Sequence, residues 1–159
     1  MITVPPYKLP LLLSALIAAS MTRCASAPAA YSKERLALQD DEVVAAGIAF
    51  LIRTAPRARR YEVQGPVVHP RTLAFAANLS RHVAVPAGLE APDTREVEDV
   101  TVRILVKRLI WWRPAQATLS ASYRAADTDP VECDLSLVHS DNGPSWGLER
   151  SQQPGCAPK

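Results

Sequence analysis

From residue 99 onwards, apolar and polar side chains alternate along the chain with a period of two. This period is typical of β-strands that have one face buried. Turn-forming sequences such as "AADTDP" and "SDNGPS" separate the alternating segments, as expected for hairpins. The pattern predicts an antiparallel meander with one apolar and one polar face. Its four strands fall within 100–113, 117–124, 131–140 and 146–151.

The turns also predict how these strands pair. Arg108 interrupts the alternation of the first strand, which favours a β-bulge there. If "AADTDP" closes the second hairpin, Tyr123 lies opposite Cys133. If "SDNGPS" closes the third, His139 pairs with Trp146.

Before the meander, the period changes to that of a helix. The segment "YSKERLALQDDEVVAAGIAFLIRTAP" predicts a helix over 33–54, ended by Pro56. Asp40, Asp41 and Glu42 are expected to form a capped, solvated first turn of its apolar part.

A second helix is predicted within 70–84, with Pro70 at its first position and the Pro86-Ala-Gly sequence ending it. Between the helices, "YEVQGPVV" is interpreted as an edge strand, because Pro66 cannot donate a hydrogen bond to a neighbouring strand.

Together these elements predict an α+β fold, in which an N-terminal helix packs on a curved antiparallel meander of about four to five strands. Over residues 33–151 this layout resembles the cystatin-like superfamily and the conical barrels of the nuclear transport factor two and ketosteroid isomerase superfamily. The resemblance implies a fold that hosts enzymes, inhibitors and carriers alike. It rests on layout, without a sequence motif.

The N-terminus is typical of a secretory signal peptide. Lys8 precedes an apolar run over 9–21, which spans roughly 20 Å as a helix and is short for a membrane span. Cleavage before Ala30 would remove residues 1–29 and leave 30–159 as one domain. The alternative is lipidation of Cys24, which Arg23 disfavours because small residues usually precede an acylated cysteine. We therefore expect a bacterial periplasmic or extracellular protein, with an outer-membrane lipoprotein as the alternative.

The other two cysteines form an even pair. Cys133 and Cys156 are predicted to form a disulfide in an oxidising compartment, with Cys133 opposite Gln152 in the predicted register. The alternative is two reduced thiols. Neither cysteine has a second Cys or His at ligand spacing, so we expect no metal and no cofactor.

Charge excludes one class of partner. The chain has 18 Lys plus Arg against 16 Asp plus Glu. Lys8 and Arg23 belong to the predicted leader, which leaves 16 against 16. A neutral mature domain is not expected to bind nucleic acid.

Candidate chemistry is sparse. His139, Tyr123 and Trp146 would line a cavity if the sheet curved into a cone, but no carboxylate accompanies the histidine there, and no catalytic motif is present. We therefore predict a protein that is not an enzyme. The alternative is a small-molecule-binding or catalytic conical barrel that uses His139 and Tyr123.

Two adjacent tryptophans are the candidate binding residues. On a strand, one of Trp111 and Trp112 must point away from the core, where Arg108 and Arg113 would flank it. Exposed Trp and Arg are typical anchors for a partner. The sequence thus predicts an exported protein that binds an unknown protein or glycan, with a cystatin-like hydrolase inhibitor as a further alternative.

Overall fold

A computed structural model describes residues 33–92, 100–140, 146–149 and 155–158. The predicted signal peptide, Cys24 and Gln152 lie outside these ranges. The described chain has two helices, α1 (Lys33–Thr54) and α2 (Pro70–Ser80). Its strands are β1 (Arg60–Gln64), β2 (Val83–Val85), β3 (Gly88–Glu90), β4 (Thr101–Arg113), β5 (Gln116–Ala125), β6 (Val131–His139), β7 (Trp146–Leu148) and β8 (Gly155–Pro158). No described helix has the length and apolar character needed to cross a membrane.

The strands form one sheet in the order β2-β3-β1-β4-β5-β6-β7, with β8 also paired to β6. Every pairing is antiparallel except that of β1 with β4. The α+β class with a helix packed on a mostly antiparallel sheet is confirmed. The prediction of four to five strands is wrong, since the described residues already form eight.

Helix α1 packs on one side of the sheet, here called the inner face, and the core lies between them. Val43, Ile48 and Leu51 on the helix are fully buried, as are Leu119 and Leu137 on the strands. The helix approaches β5 closely at a glycine. A methyl group added to that residue, Gly47, would lie 2.2 Å from Leu119 Cδ2.

The predicted solvated turn at residues 40–42 is wrong. Because α1 begins at Lys33, these acids lie inside the helix and not at its start. Asp41 is 6% exposed and faces α2, where the Thr72 hydroxyl donates a hydrogen bond of 2.5 Å to its Oδ1. The same Thr72 Oγ1 accepts the N–H of His69 at the start of α2, so one hydroxyl joins the two helices.

Two predictions in the N-terminal half need correction. β1 lies between β3 and β4 and is not an edge strand, because it ends at Gln64, before Pro66. Helix α2 ends at Ser80 and not near residue 84, since Arg81 adopts a left-handed φ of 60°. The β-branched Val83 and Val85 then belong to β2, which forms the edge hairpin with β3.

The meander is confirmed, with two errors of register: one at Tyr123, and one at Cys133, which lies opposite Cys156 where Gln152 was predicted. The bulge near Arg108 is present, because Val106 pairs with Ala121 and Arg108 with Ser120. Trp146 pairs with His139, as predicted. Tyr123, however, lies opposite Val131, two residues from its predicted partner Cys133. The loop between the paired residues of β5 and β6 therefore contains more residues than the turn sequence predicted.

The Cys133–Cys156 disulfide is confirmed, and it joins residues separated by 23 positions. Its partner strand was missed. Gly155–Pro158 forms β8, which pairs with the start of β6 and places Cys156 directly opposite Cys133. A disulfide of this kind fits a protein of an oxidising compartment.

Candidate functional surface

The two adjacent tryptophans lie on opposite sides of the sheet. Trp111 is half-buried on the inner face, where its Nε1–H donates a 2.8 Å hydrogen bond to Asp40 Oδ1 of α1. Its ring meets that of Trp146 edge to face, with centroids 5.3 Å apart. Trp111 therefore anchors α1 to the sheet, and only part of its ring is exposed.

Trp112 points to the outer face of the sheet, the side turned away from α1. A second register shift makes it an extra residue between the pairs Trp111–Ala117 and Arg113–Gln116. The side chain is 65% exposed, yet its Nε1–H donates a 2.9 Å hydrogen bond to Thr118 Oγ1. The bulge turns the ring outwards, and the hydrogen bond holds it in one orientation.

Arg108 lies on the same face, and a hydrogen bond to a neighbouring strand fixes its orientation. Its Nε–H donates to Ser120 Oγ at 3.3 Å, and the Ser120 hydroxyl donates in turn to Asp134 Oδ1 at 2.5 Å. Arg113 is exposed next to the turn between β4 and β5. Its cross-strand neighbour Gln116 is engaged elsewhere, since its Nε2–H donates to Glu149 at 3.4 Å. We call the group Arg108, Trp112 and Arg113 the Trp112 surface.

The three candidate cavity residues do not come together. The rings of His139 and Trp146 meet edge to face at 5.3 Å, and the His139 N–H donates to Ala115 O at 2.9 Å. Tyr123 lies opposite Val131 at the far end of β6. From residue 131 to residue 139 a strand extends roughly 27 Å. His139 therefore shares an aromatic cluster with Trp146, and Tyr123 belongs to another part of the sheet.

A groove of about 440 Å³ lies at the end of α1, a feature that the sequence reasoning did not identify. Arg53, Arg57 and His82 line it together with Tyr61. The Tyr61 hydroxyl donates to Pro56 O and accepts the N–H of Ala58, both at 3.2 Å. Burial of this hydroxyl raises the pKa of Tyr61 above 10.0, its ordinary value. The arginine-rich segment "RTAPRARR" was the available signal, but nothing in it indicated a groove.

Within the described ranges, no three His, Cys, Asp or Glu side chains form a group that could hold a metal ion. No protein-family model, curated protein or solved structure matches this chain.

Proposed function

We propose that the protein acts by binding a protein partner through the Trp112 surface. The observation that carries the proposal is a large indole that is 65% exposed but fixed by a hydrogen bond to Thr118. A fixed aromatic ring offers contact area while losing little conformational entropy on association. Trp and Arg are also the residue types most enriched among energetically dominant interface residues.

The surrounding polar groups favour a protein over a glycan. Thr118 is bonded to Trp112, and Ser120 connects Arg108 to Asp134. A sugar stacked on the ring would therefore meet a Ser120 hydroxyl that already accepts and donates, and a Thr118 oxygen that already accepts the indole N–H. A protein can instead use the ring as an apolar anchor and place a carboxylate against the exposed Arg113.

The test is to capture partners from envelope and culture-supernatant extracts with wild type and Trp112→Ala. Leu79→Ala is the matched control, because Leu79 is a large apolar residue, 49% exposed, that lies on α2. We expect one protein to bind wild type and Leu79→Ala directly, with at least about tenfold weaker binding to Trp112→Ala. Equal binding by all three proteins would contradict the proposal. Retention of a polysaccharide that depends on Trp112 would assign the surface to a glycan.

The compartment belongs to the same proposal: the protein is exported, and residues 1–29 act as a signal peptide. The Cys133–Cys156 disulfide supports export. The intact mass of the protein from its native host tests it, since cleavage before Ala30 gives an unmodified disulfide-bonded chain. A diacylglycerol adduct on Cys24 would instead place the protein on a membrane, and an uncleaved chain would contradict export by this route.

The conical-barrel and inhibitor hypotheses stay predictions. Because His139 and Tyr123 lie far apart on the sheet, their positions do not support a catalytic site that uses both.

A further inference from the structure

Two arginines lie directly opposite each other on the outer face of the sheet. Arg103 of β4 pairs with Arg124 of β5 in the antiparallel register. Like charges at this cross-strand position repel each other and destabilise the sheet. Such a departure from local preference is expected at functional sites, where interactions elsewhere compensate for it.

The rest of the outer face shows how this sheet normally balances its charges. Lys107 forms an ion pair with Glu132 of β6, and Arg108 is connected through Ser120 to Asp134 of the same strand. In both cases a cation of β4 reaches across β5 to an acid of β6.

The row of Arg103 and Arg124 lacks this arrangement. Glu62 of β1 stands on one side and accepts the Nε–H of Arg103 at 3.2 Å. On the other side lies β6, which begins at Val131, opposite Tyr123. No residue of β6 therefore lies directly beside Arg124, and the first acid of the strand is further along it. Among the described residues, Arg103 therefore has one carboxylate partner and Arg124 has none.

Both arginines are held in place by their Nε–H groups, which leaves the ends of the guanidinium groups for another partner. Arg103 donates to Glu62, and Arg124 donates to Thr128 O at 2.9 Å. Arg103 remains 78% exposed. A groove of about 240 Å³ lies between them, and Thr101 contributes to its lining. Asp127 and Asp129 follow Arg124 in the turn, but neither forms an ion pair with these arginines among the described residues.

We propose that this groove binds a phosphate group between Arg103 and Arg124. The planar guanidinium group matches phosphate through paired N–H···O bonds, and two such groups can contact one tetrahedral anion. The bound anion would remove the repulsion between the two cations. This site is separate from the Trp112 surface and does not depend on the function proposed for it.

The experiment titrates inorganic phosphate into the full chain while the ionic strength is held constant with sodium chloride. Side-chain Nε–Hε signals in nitrogen-15 NMR spectra report on each arginine. We expect the signals of Arg103 and Arg124 to shift together and saturate. Arg124→Met should weaken phosphate binding at least about tenfold, because it removes a charge-assisted pair of hydrogen bonds. Arg71→Met is the control, since this exposed arginine belongs to α2, and it should bind phosphate like wild type.

Arg124→Lys separates the paired geometry from charge alone. Lysine keeps the charge without the planar fork, so we expect several-fold weaker binding. Absence of saturable shifts in wild type, unchanged affinity in Arg124→Met or Arg124→Lys, or an equal loss in Arg71→Met would each overturn the proposal. Glycerol 1-phosphate distinguishes the two sources of the group. Tighter binding than inorganic phosphate indicates a phosphate ester of a larger molecule, and equal binding indicates the free anion.

Discussion

On β5, the neighbouring residues Leu119 and Ser120 show how differently the two faces of the sheet are built. Leu119 is fully buried on the inner face against α1, at the point where Gly47 lets the helix approach. Ser120 is also buried, but on the outer face it is covered by charged neighbours, accepting from Arg108 and donating to Asp134. On the inner face, apolar side chains exclude water. On the outer face, polar side chains that are hydrogen-bonded to one another cover the strands.

This difference separates stability from recognition. Inner-face contacts are apolar and numerous, so they contribute most of the free energy of folding. Outer-face contacts are charged and partly solvated, so each contributes little. Residues of the outer face can therefore be exchanged with small effects on the fold, which leaves this face available to a partner.

The largest effect should come from the inner face of β5. Leu119→Ala is expected to lower the free energy of unfolding by about 2 to 5 kcal/mol, because it removes buried methyl groups and leaves a cavity. The outer-face neighbour Thr118→Val keeps the side-chain shape and loses the hydrogen bond to Trp112, so about 1 kcal/mol or less is expected. Urea unfolding measures both, and similar losses would contradict the division between faces.

Removal of the disulfide should lower the free energy of unfolding by nearly as much. The double variant Cys133→Ala with Cys156→Ala is expected to lose about 3 kcal/mol, because the unfolded chain regains the freedom that the cross-link restricts. Denaturant unfolding without reductant gives the difference. Reductant should destabilise wild type and leave the double variant unchanged, and a reductant effect on both would show that another interaction is responsible.

The contact between the two helices should rank next. Thr72→Val keeps the shape but leaves the buried Asp41 carboxylate without its donor, and we expect a loss of about 2 kcal/mol. Thr72→Ser retains the hydroxyl and is the matched control. Thermal unfolding compares the two variants, and an equal loss would mean that the methyl group of Thr72 contributes as much as its hydroxyl.

The smallest effect should come from the outer-face ion pair. Lys107→Met removes the ion pair with Glu132 and should change stability by less than about 1 kcal/mol, since both side chains are partly solvated. The difference from wild type should shrink further in about 1 M salt, where screening is strong. A larger loss that persists in high salt would show that the outer face contributes to folding like the inner one.

The meander could be predicted from sequence because alternation is a local property of each strand. Val102, Ile104 and Val106 are buried at every second position, as the pattern indicated. The same rule predicted that one of Trp111 and Trp112 points outwards, but it did not predict which one, and it did not predict the hydrogen bond to Thr118. That bond requires the bulge at residue 112, and no single turn residue marks it.

What could not be predicted depends on contacts between distant segments. The N-terminal extent of α1 decides whether Asp41 is at a helix end or in its interior, and Thr72, 31 residues away, supplies its partner. Strand β8 likewise consists of residues with a low intrinsic preference for strands. It is a strand because it pairs with β6, which comes from another part of the sequence. The charge imbalance at Arg103 and Arg124 emerges only when the register is known.

The placement of the three tryptophans makes the protein its own optical reporter. Trp111 and Trp146 are half-buried in mutual contact, whereas the Trp112 indole faces solvent. Loss of the fold should shift the fluorescence of the first pair to longer wavelengths. Coverage of Trp112 by a partner should shift emission to shorter wavelengths while the other two are unchanged. Shifts of the emission wavelength in opposite directions would thus distinguish the partner-bound protein from the unfolded protein in a single fluorescence spectrum.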